Sequence, residues 1–197
     1  LIIYFGLLVF TFSAVLLTYS RSAFLMLIVG LAFHLFLKKK KKLIFVFIAI
    51  IICVTFLLSN AYKSEGTNFF RTASSQARLA SYEKAFGIIE KNPLFGVGFN
   101  TYEFASNTQG SLVQSSYTNH AQAGTDSSAL FILATTGIAG LTVYVFMWYK
   151  ILKIHKKSEL IISSMTALFI NSLFINSLFY MPILFFVWVV VGITENK

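Results

Sequence analysis

The residues of this chain that are best suited to chemistry are its arginines and a few acidic side chains. Arg21, Arg71 and Arg78 are the only arginines, and Asp126 is the only aspartate. A guanidinium presents a planar fork of donors that matches phosphate or carboxylate. A carboxylate can take a proton from a hydroxyl group. These residues suit chemistry at an anionic substrate, provided that the chain brings them together.

Most of these residues lie in one long polar segment, residues 59–128, which is too long to be a simple connector. Its part from Ala105 to Thr125 is rich in Ser, Thr, Asn and Gln and contains His120. Such a stretch is either flexible or suited to sugar hydroxyls, and His120 is either solvated or catalytic. Asp126 precedes an apolar run, so it is a helix N-cap, a general base, or both.

An amphipathic helix is predicted within the same segment, from Thr72 to Lys91. Leu79, Tyr82, Phe86 and Ile89 recur at helical spacing and predict one apolar stripe. Asn92-Pro93 ends the helix, because a residue before proline avoids the α conformation. We expect the helix to lie on the membrane surface or across the helix bundle. Arg71 and Arg78 would share a face; we expect Arg71 to be solvated and Arg78 to be functional.

The elements that must position this segment are membrane helices. The chain of 197 residues is 57% hydrophobic and only 12% charged, which excludes a soluble enzyme and a disordered protein. A single cysteine, Cys53, permits no intrachain disulfide and no cysteine-based metal site. The fold class is therefore an all-α polytopic membrane protein with about five to six transmembrane helices and one large extracytoplasmic loop. The predicted spans are 1–19, 23–37, 43–58, 129–149 and a hairpin within 160–191 that breaks near Asn176, Ser177 and Pro182.

The orientation of these spans follows from lysine. Residues 38–42 are all lysine, and residues 150–157 contain four more; both turns should be cytoplasmic. The predicted organisation is then 1–58 with three helices, 59–128 as the extracytoplasmic loop, and 129–197 with the remaining helices. All three arginines fall on the outer side. The net charge of +9 is explained by this topology, so we expect no nucleic-acid partner.

Three stretches occur in a characteristic order. Ser20-Arg21-Ser22-Ala23 stands between two spans, Asn92-Pro93-Leu94-Phe95-Gly96-Val97-Gly98-Phe99-Asn100-Thr101-Tyr102 follows the amphipathic helix, and Thr135-Thr136-Gly137-Ile138-Ala139-Gly140-Leu141 lies in a later span. This order resembles the O-antigen ligase and polysaccharide polymerase superfamily (WaaL/Wzy-like). The resemblance covers roughly residues 18–149. Because the chain begins at Leu1 inside an apolar run, we expect it to be the C-terminal part of a longer polytopic protein.

The resemblance implies a metal-independent, inverting glycosyltransferase without a cofactor, in the bacterial cytoplasmic membrane. Its donor would be a glycan on undecaprenyl pyrophosphate, held by Arg21 and Arg78 on the outer face. Its partners would be this donor, membrane lipid and other envelope polysaccharide assembly proteins. The general base remains open between Asp126, Glu103 and His120. Further substrate-binding residues are predicted at Arg71, Tyr102, Glu103 and Asn119.

Three functions remain open at this point. Many ligases of the superfamily carry a histidine just before the span that follows the large outer loop, where this chain has Thr125-Asp126-Ser127. This departure favours a polymerase over a ligase that moves glycan to a lipid or protein. A transporter or flippase of lipid-linked sugars would place polar groups at the bilayer midplane. Only His34, Asn171 and Thr166 are candidates for that position.

Overall fold

A computed structural model describes residues 2–18, 20–46, 49, 73–109 and 124–195. Within these ranges the chain is helical and contains no strand. The helices are α1 (Ile2–Leu17), α2 (Arg21–Leu37), α3 (Ala73–Lys91), α4 (Tyr102–Gln109), α5 (Ser128–Ile154), α6 (Glu159–Ser172) and α7 (Met181–Glu195). Residues 41–46 are also helical. Short 3-10 turns occupy Phe99–Thr101 and Ser177–Phe179.

The predicted spans correspond to observed helices wherever the structure describes them. α1, α2 and α5 cover the first, second and fourth spans, and α6 and α7 fall on the segment predicted as a hairpin. The break between α6 and α7 falls at residues 173–180, as Asn176 and Ser177 indicated, and Pro182 lies in the first turn of α7, where its missing N–H costs little. Most of the third predicted span lies outside the described residues.

One helix of the described residues, α5, is both long and apolar enough to cross a bilayer. Its 27 residues rise about 40 Å. Shorter apolar helices are Arg21–Leu37, Glu159–Ser172 and Met181–Ile193. α5 extends to Ile154, so Lys150 and Lys153 lie on its last turns rather than in a loop.

The chain divides into two compact units. The first comprises Leu1–Thr72 with Ser163–Asn171, and the second comprises Ala73–Ile162 with Ser172–Lys197. In the first unit, α2 packs closely on α6: a Cβ on Gly30 would lie 3.1 Å from the Cβ of Ala167. His34 Nδ1 and the Ser163 hydroxyl are 3.3 Å apart and form a hydrogen bond between the same helices.

The second unit is built around α5, with α3 and α4 packed beside its N-terminal half. Its core contains Ile88, Tyr102, Phe131 and Ala134. Phe131 makes edge contacts with the rings of Phe99 and Phe179, at centroid distances of 5.4 and 5.3 Å. These aromatic contacts join α5 to the segments before α4 and α7.

α3 forms where predicted, and its predicted apolar stripe is buried only in part. Ile89 packs against the core and Tyr82 is half-buried, whereas Leu79 and Phe86 are 59% and 51% exposed. α3 makes its main contacts with α5 and α4, and its fully buried side chains are Ala85 and Ile88.

Candidate functional site

α5 is broken within its length, and the break is where the segment after α3 binds to it. Gly137 adopts φ 67° and ψ −168°, which interrupts the helix. An unbroken helix would pair the N–H groups of Ile138 and Ala139 with the carbonyls of Ala134 and Thr135. We call residues 134–139 the kink; its four backbone groups are left without those partners.

The segment after α3 supplies the missing partners. We call residues 92–98 the docking loop. Its Val97 and Gly98 N–H groups donate to the carbonyls of Ala134 and Thr135, at 3.0 and 2.7 Å. Its Pro93 and Leu94 carbonyls accept from Ile138 and Ala139, at 2.9 and 3.2 Å. All four of these backbone groups therefore find partners on the docking loop, as buried backbone groups require.

Two glycines make this contact possible. A Cβ on Gly137 would lie 2.3 Å from the carbonyl carbon of Leu94, and one on Gly96 would lie 2.4 Å from that of Thr135. Both residues have positive φ, 67° and 65°, which glycine adopts without strain. Two of the three sequence stretches singled out above are therefore in direct backbone contact.

Beside this contact, α3 meets the segment that leads into α5. The Ser81 hydroxyl donates to Thr125 Oγ1 at 3.2 Å, and the Asp126 N–H donates to Ser81 Oγ at 3.3 Å. The N-cap of α5 is Ser127, whose side chain accepts from the Leu130 N–H. The predicted N-cap role of Asp126 is therefore wrong. Its carboxylate is not used for capping, because the following residue supplies the cap.

Tyr82 interacts electrostatically with two charged residues, Arg78 and Asp126. Its hydroxyl donates to the Leu173 carbonyl at 2.9 Å. Burial raises the pKa of the Tyr82 phenol; the positive charge of Arg78 opposes this shift, and the negative charge of Asp126 adds to it. Both charges thus act on one phenol. We call Arg78, Ser81, Tyr82 and Asp126 the polar cluster.

Arg78 and Asp126 are both half-buried. Arg78 makes no ion pair with any residue that the structure describes. A half-buried cation that has no ion pair in the described part of the chain is suited to an anionic ligand. Asp126 is suited to accept a proton from a hydroxyl placed beside it.

Tyr102 and Glu103, two of the predicted substrate-binding residues, begin α4. Tyr102 is 2% exposed and packs on Phe131, with ring centroids 5.6 Å apart. Burial raises the pKa of Tyr102, a hydrogen bond with the Thr125 side chain opposes this shift, and the charge of Asp126 adds to it. Tyr102 therefore supports the polar cluster from the core rather than presenting an open surface. Glu103 is half-buried.

An apolar groove of about 470 Å³ runs along α5 next to the docking loop. Phe95 and Phe99 line one side and Val143, Tyr144 and Met147 another. The groove is suited to a hydrocarbon chain, since almost all of its wall is apolar.

The other predicted site residues are distributed as follows. Arg21 is the first residue of α2, directly after the N-cap Ser20, and belongs to the first unit. A cation at a helix N-terminus opposes the helix dipole, so it is not there to stabilise α2. Arg71, Asn119 and His120 lie outside the described residues.

Sequence reasoning missed Ser81, and it placed Tyr82 in an apolar stripe without assigning it a role in the site. It predicted the break at 173–180 but not that this turn supplies the Leu173 carbonyl to Tyr82. A usable signal was the repeated Ile-Asn-Ser-Leu-Phe at 170–174 and 175–179, whose second copy places polar residues in the turn.

Comparison with known proteins gives one match. The family model described as O-antigen ligase matches residues 6–145. This range covers more than half of the chain and includes the docking loop, the kink and the polar cluster. No curated protein matches the chain, and no solved structure does.

Proposed function

Because this chain belongs to the O-antigen ligase family, we propose that it is an envelope polysaccharide polymerase of the Wzy-like type. It transfers a glycan from undecaprenyl pyrophosphate to an acceptor sugar on the outer face of the cytoplasmic membrane. The observation that carries the proposal is the hydrogen bond from the Asp126 N–H to Ser81 Oγ, which brings the helix that carries Arg78 against the segment that carries Asp126. One cation and one carboxylate are the two charges that this reaction needs.

In this reaction the acceptor hydroxyl attacks the anomeric carbon of the donor glycan. The new carbon–oxygen bond forms as the bond to the pyrophosphate oxygen breaks, with inversion at that carbon. The bonding electrons leave with the pyrophosphate, where Arg78 stabilises the added negative charge. The hydroxyl proton passes to the Asp126 carboxylate. Glu103 and His120 remain alternative bases.

We further propose that the reaction needs no metal ion. Asp126 is the only aspartate of the chain, and acidic cages for Mg²⁺ or Mn²⁺ are built from several carboxylates. An arginine can take over the electrostatic task of a metal at a leaving pyrophosphate, because its two-point hydrogen bonds match phosphate oxygens.

The remaining arginines have proposed roles that extend this site. Arg21 contributes a second contact to the pyrophosphate, and Arg71, Glu103 and Asn119 contribute to substrate binding, while the buried Tyr102 supports these contacts from the core. The apolar groove beside the docking loop holds part of the lipid chain. The polar segment before α5 faces the outside, which requires the predicted topology of the spans.

The ligase remains the second candidate, since the matching family model is described as O-antigen ligase. The two reactions share donor, leaving group and site, and they differ in the acceptor. Longer glycans indicate a polymerase, whereas glycans of unchanged length on a new carrier indicate a ligase. A transporter is less well supported: His34, one of its midplane candidates, is bonded to Ser163 within the first unit.

The test is complementation of a host that lacks its own polymerase, with the full-length gene. Wild type should restore a ladder of glycans on a gel. Arg78→Lys should keep the charge but lose two-point phosphate binding, and we expect the ladder to collapse to single repeats at equal protein level. Lys84→Arg, an exposed position on the same helix, serves as the control and should leave the ladder intact. A full ladder in Arg78→Lys would contradict the role given to Arg78.

A further inference from the structure

The turn between α6 and α7 adds a side-chain amide to the site. The turn contacts the polar cluster through the Leu173 carbonyl, which accepts the Tyr82 hydroxyl. Three residues later, Asn176 Oδ1 accepts the Ser128 hydroxyl at 3.0 Å. Ser128 is two residues after Asp126, so Asn176 stands next to the segment that carries the proposed base.

The orientation of this amide is determined by Ser128. Ser128 is fully buried, and its oxygen accepts the Leu178 N–H at 3.1 Å. The hydroxyl proton is then donated to Asn176 Oδ1, which turns the amide nitrogen Nδ2 away from Ser128. Among the described residues Nδ2 has no hydrogen-bond partner. Its direction is fixed by the bond between Ser128 and Asn176 Oδ1.

Gly124 lies beside this donor. A Cβ on Gly124 would lie 3.8 Å from Asn176 Nδ2 and 3.4 Å from the Phe131 ring. The neighbouring Ser177 hydroxyl and the Phe131 ring are buried, whereas Asn176 is half-buried. The Asn176 amide is therefore the group of this turn that can donate to a sugar hydroxyl.

We propose that Asn176 is a glycan-binding residue whose Nδ2 donates to a sugar hydroxyl beside Asp126. This inference rests on the proposed function and extends it with a residue that positions the sugar. The hydroxyl belongs either to the donor glycan or to the acceptor, and the test below distinguishes the two. Asn176 positions the sugar and takes no part in forming or breaking the bond at the anomeric carbon.

Two variants test the proposal from different directions. Asn176→Asp keeps an acceptor for the Ser128 hydroxyl and removes the Nδ2 donor. Gly124→Ala leaves Asn176 unchanged and places a methyl group in the space beside it, at contact distances that require no rearrangement. Asn107→Asp makes the same chemical change at an exposed position of α4 and serves as the matched control.

The full-length protein in liposomes is assayed for transfer. The initial rate is measured against lipid-linked donor, and separately against oligosaccharides released by mild acid from the envelope polysaccharide of the producing bacterium. We expect both variants to raise KM about five- to tenfold for one of these two substrates, as loss of one hydrogen bond would. kcat should change less than about twofold, since the contact is made equally before and in the transition state. The substrate whose KM rises contains the sugar that Asn176 binds.

Equilibrium binding of the same oligosaccharides is measured in parallel, so that the result does not depend on turnover. Unchanged KM for both substrates together with unchanged binding would overturn the role of Asn176. In that case transfer by wild type and its loss in Arg78→Lys would still support the proposed function. A lower kcat at unchanged KM would also overturn it, because the amide would then only hold the turn. Wild type that binds oligosaccharide through Asn176 without transferring it would refute the polymerase and keep the binding site.

Discussion

Replacing Gly137 by alanine should disrupt the contact between the docking loop and the kink. Gly137 has φ 67° and ψ −168°, a region that only glycine occupies without strain. The added Cβ would lie 2.3 Å from the carbonyl carbon and oxygen of Leu94 and 2.5 Å from the nitrogen of Phe95. These atoms are backbone, so no side chain can rotate to relieve the overlap.

The cost follows from the two ways in which the chain can respond. If the docking loop stays in place, an alanine in this conformation costs about 1–3 kcal/mol, and the overlap with Leu94 adds to that. If the loop moves away, up to four backbone hydrogen bonds are lost at about 1 kcal/mol each. Either response amounts to about 3 kcal/mol or more, which is a fall of about 6–12 °C in the unfolding temperature of a chain of this size.

The assay is thermal unfolding of the purified protein in detergent, followed by tryptophan fluorescence. Trp148 is buried and stacks on Trp188, with centroids 6.2 Å apart, so both report on the second unit. Gly192→Ala is the matched control, because a Cβ on Gly192 meets no atom within 4 Å. It should be neutral or slightly stabilising, since alanine favours helix.

Hydrogen exchange locates the effect. In Gly137→Ala the amides of Val97, Gly98, Ile138 and Ala139 should exchange faster than in wild type, because these are the four donors of the contact. If Gly137→Ala unfolds at the same temperature as Gly192→Ala and keeps those amides protected, the account of the kink is wrong.

The remaining predictions concern the polar cluster and the start of α5. Tyr82→Phe removes the bond to the Leu173 carbonyl and should cost about 1 kcal/mol of stability, measured by thermal unfolding; an unchanged midpoint would show that the bond contributes nothing. Because the pKa values of Tyr82 and Tyr102 are raised above the ordinary 10.0, the folded chain binds more protons than the unfolded chain above that pH. Their contribution to stability should therefore be complete below pH 10 and decline as pH rises through the folded values, and the decline should be shallower in the Tyr82→Phe/Tyr102→Phe double variant. Ser127→Ala removes the N-cap of α5 and should cost about 1 kcal/mol, whereas capping by Asp126 would leave Ser127→Ala neutral and make Asp126→Ala costly.

The helices could be predicted from the sequence because each depends on a local pattern. Apolar runs predicted α1, α2 and α5, and Asn92-Pro93 correctly marked the end of α3. The kink could not be predicted in this way, because a glycine inside an apolar run is compatible with an unbroken helix. Its conformation depends on the docking loop, about forty residues earlier, and hydrogen bonds at that separation leave no periodic signal.

The candidate site depends on contacts between distant segments. The types and sequence order of Arg78 and Asp126 marked them as candidates, and the charges of both act on the Tyr82 phenol, but their roles stay a prediction. Two adjacent residues could each cap α5, and only the backbone geometry assigns the cap to Ser127. Asn176 reaches the site through a bond to Ser128, 48 positions away, which no local pattern reveals.

The central claim is that Arg78 and Asp126 transfer a glycan from a lipid pyrophosphate. The most direct measurement is glycan transfer by the purified full-length protein in liposomes, with lipid-linked donor supplied on the outer side and products separated by length. Wild type should lengthen the glycan and release undecaprenyl pyrophosphate, and Arg78→Lys and Asp126→Asn should each abolish lengthening while Lys84→Arg does not. Lengthening that continues undiminished in Arg78→Lys and Asp126→Asn would contradict the account.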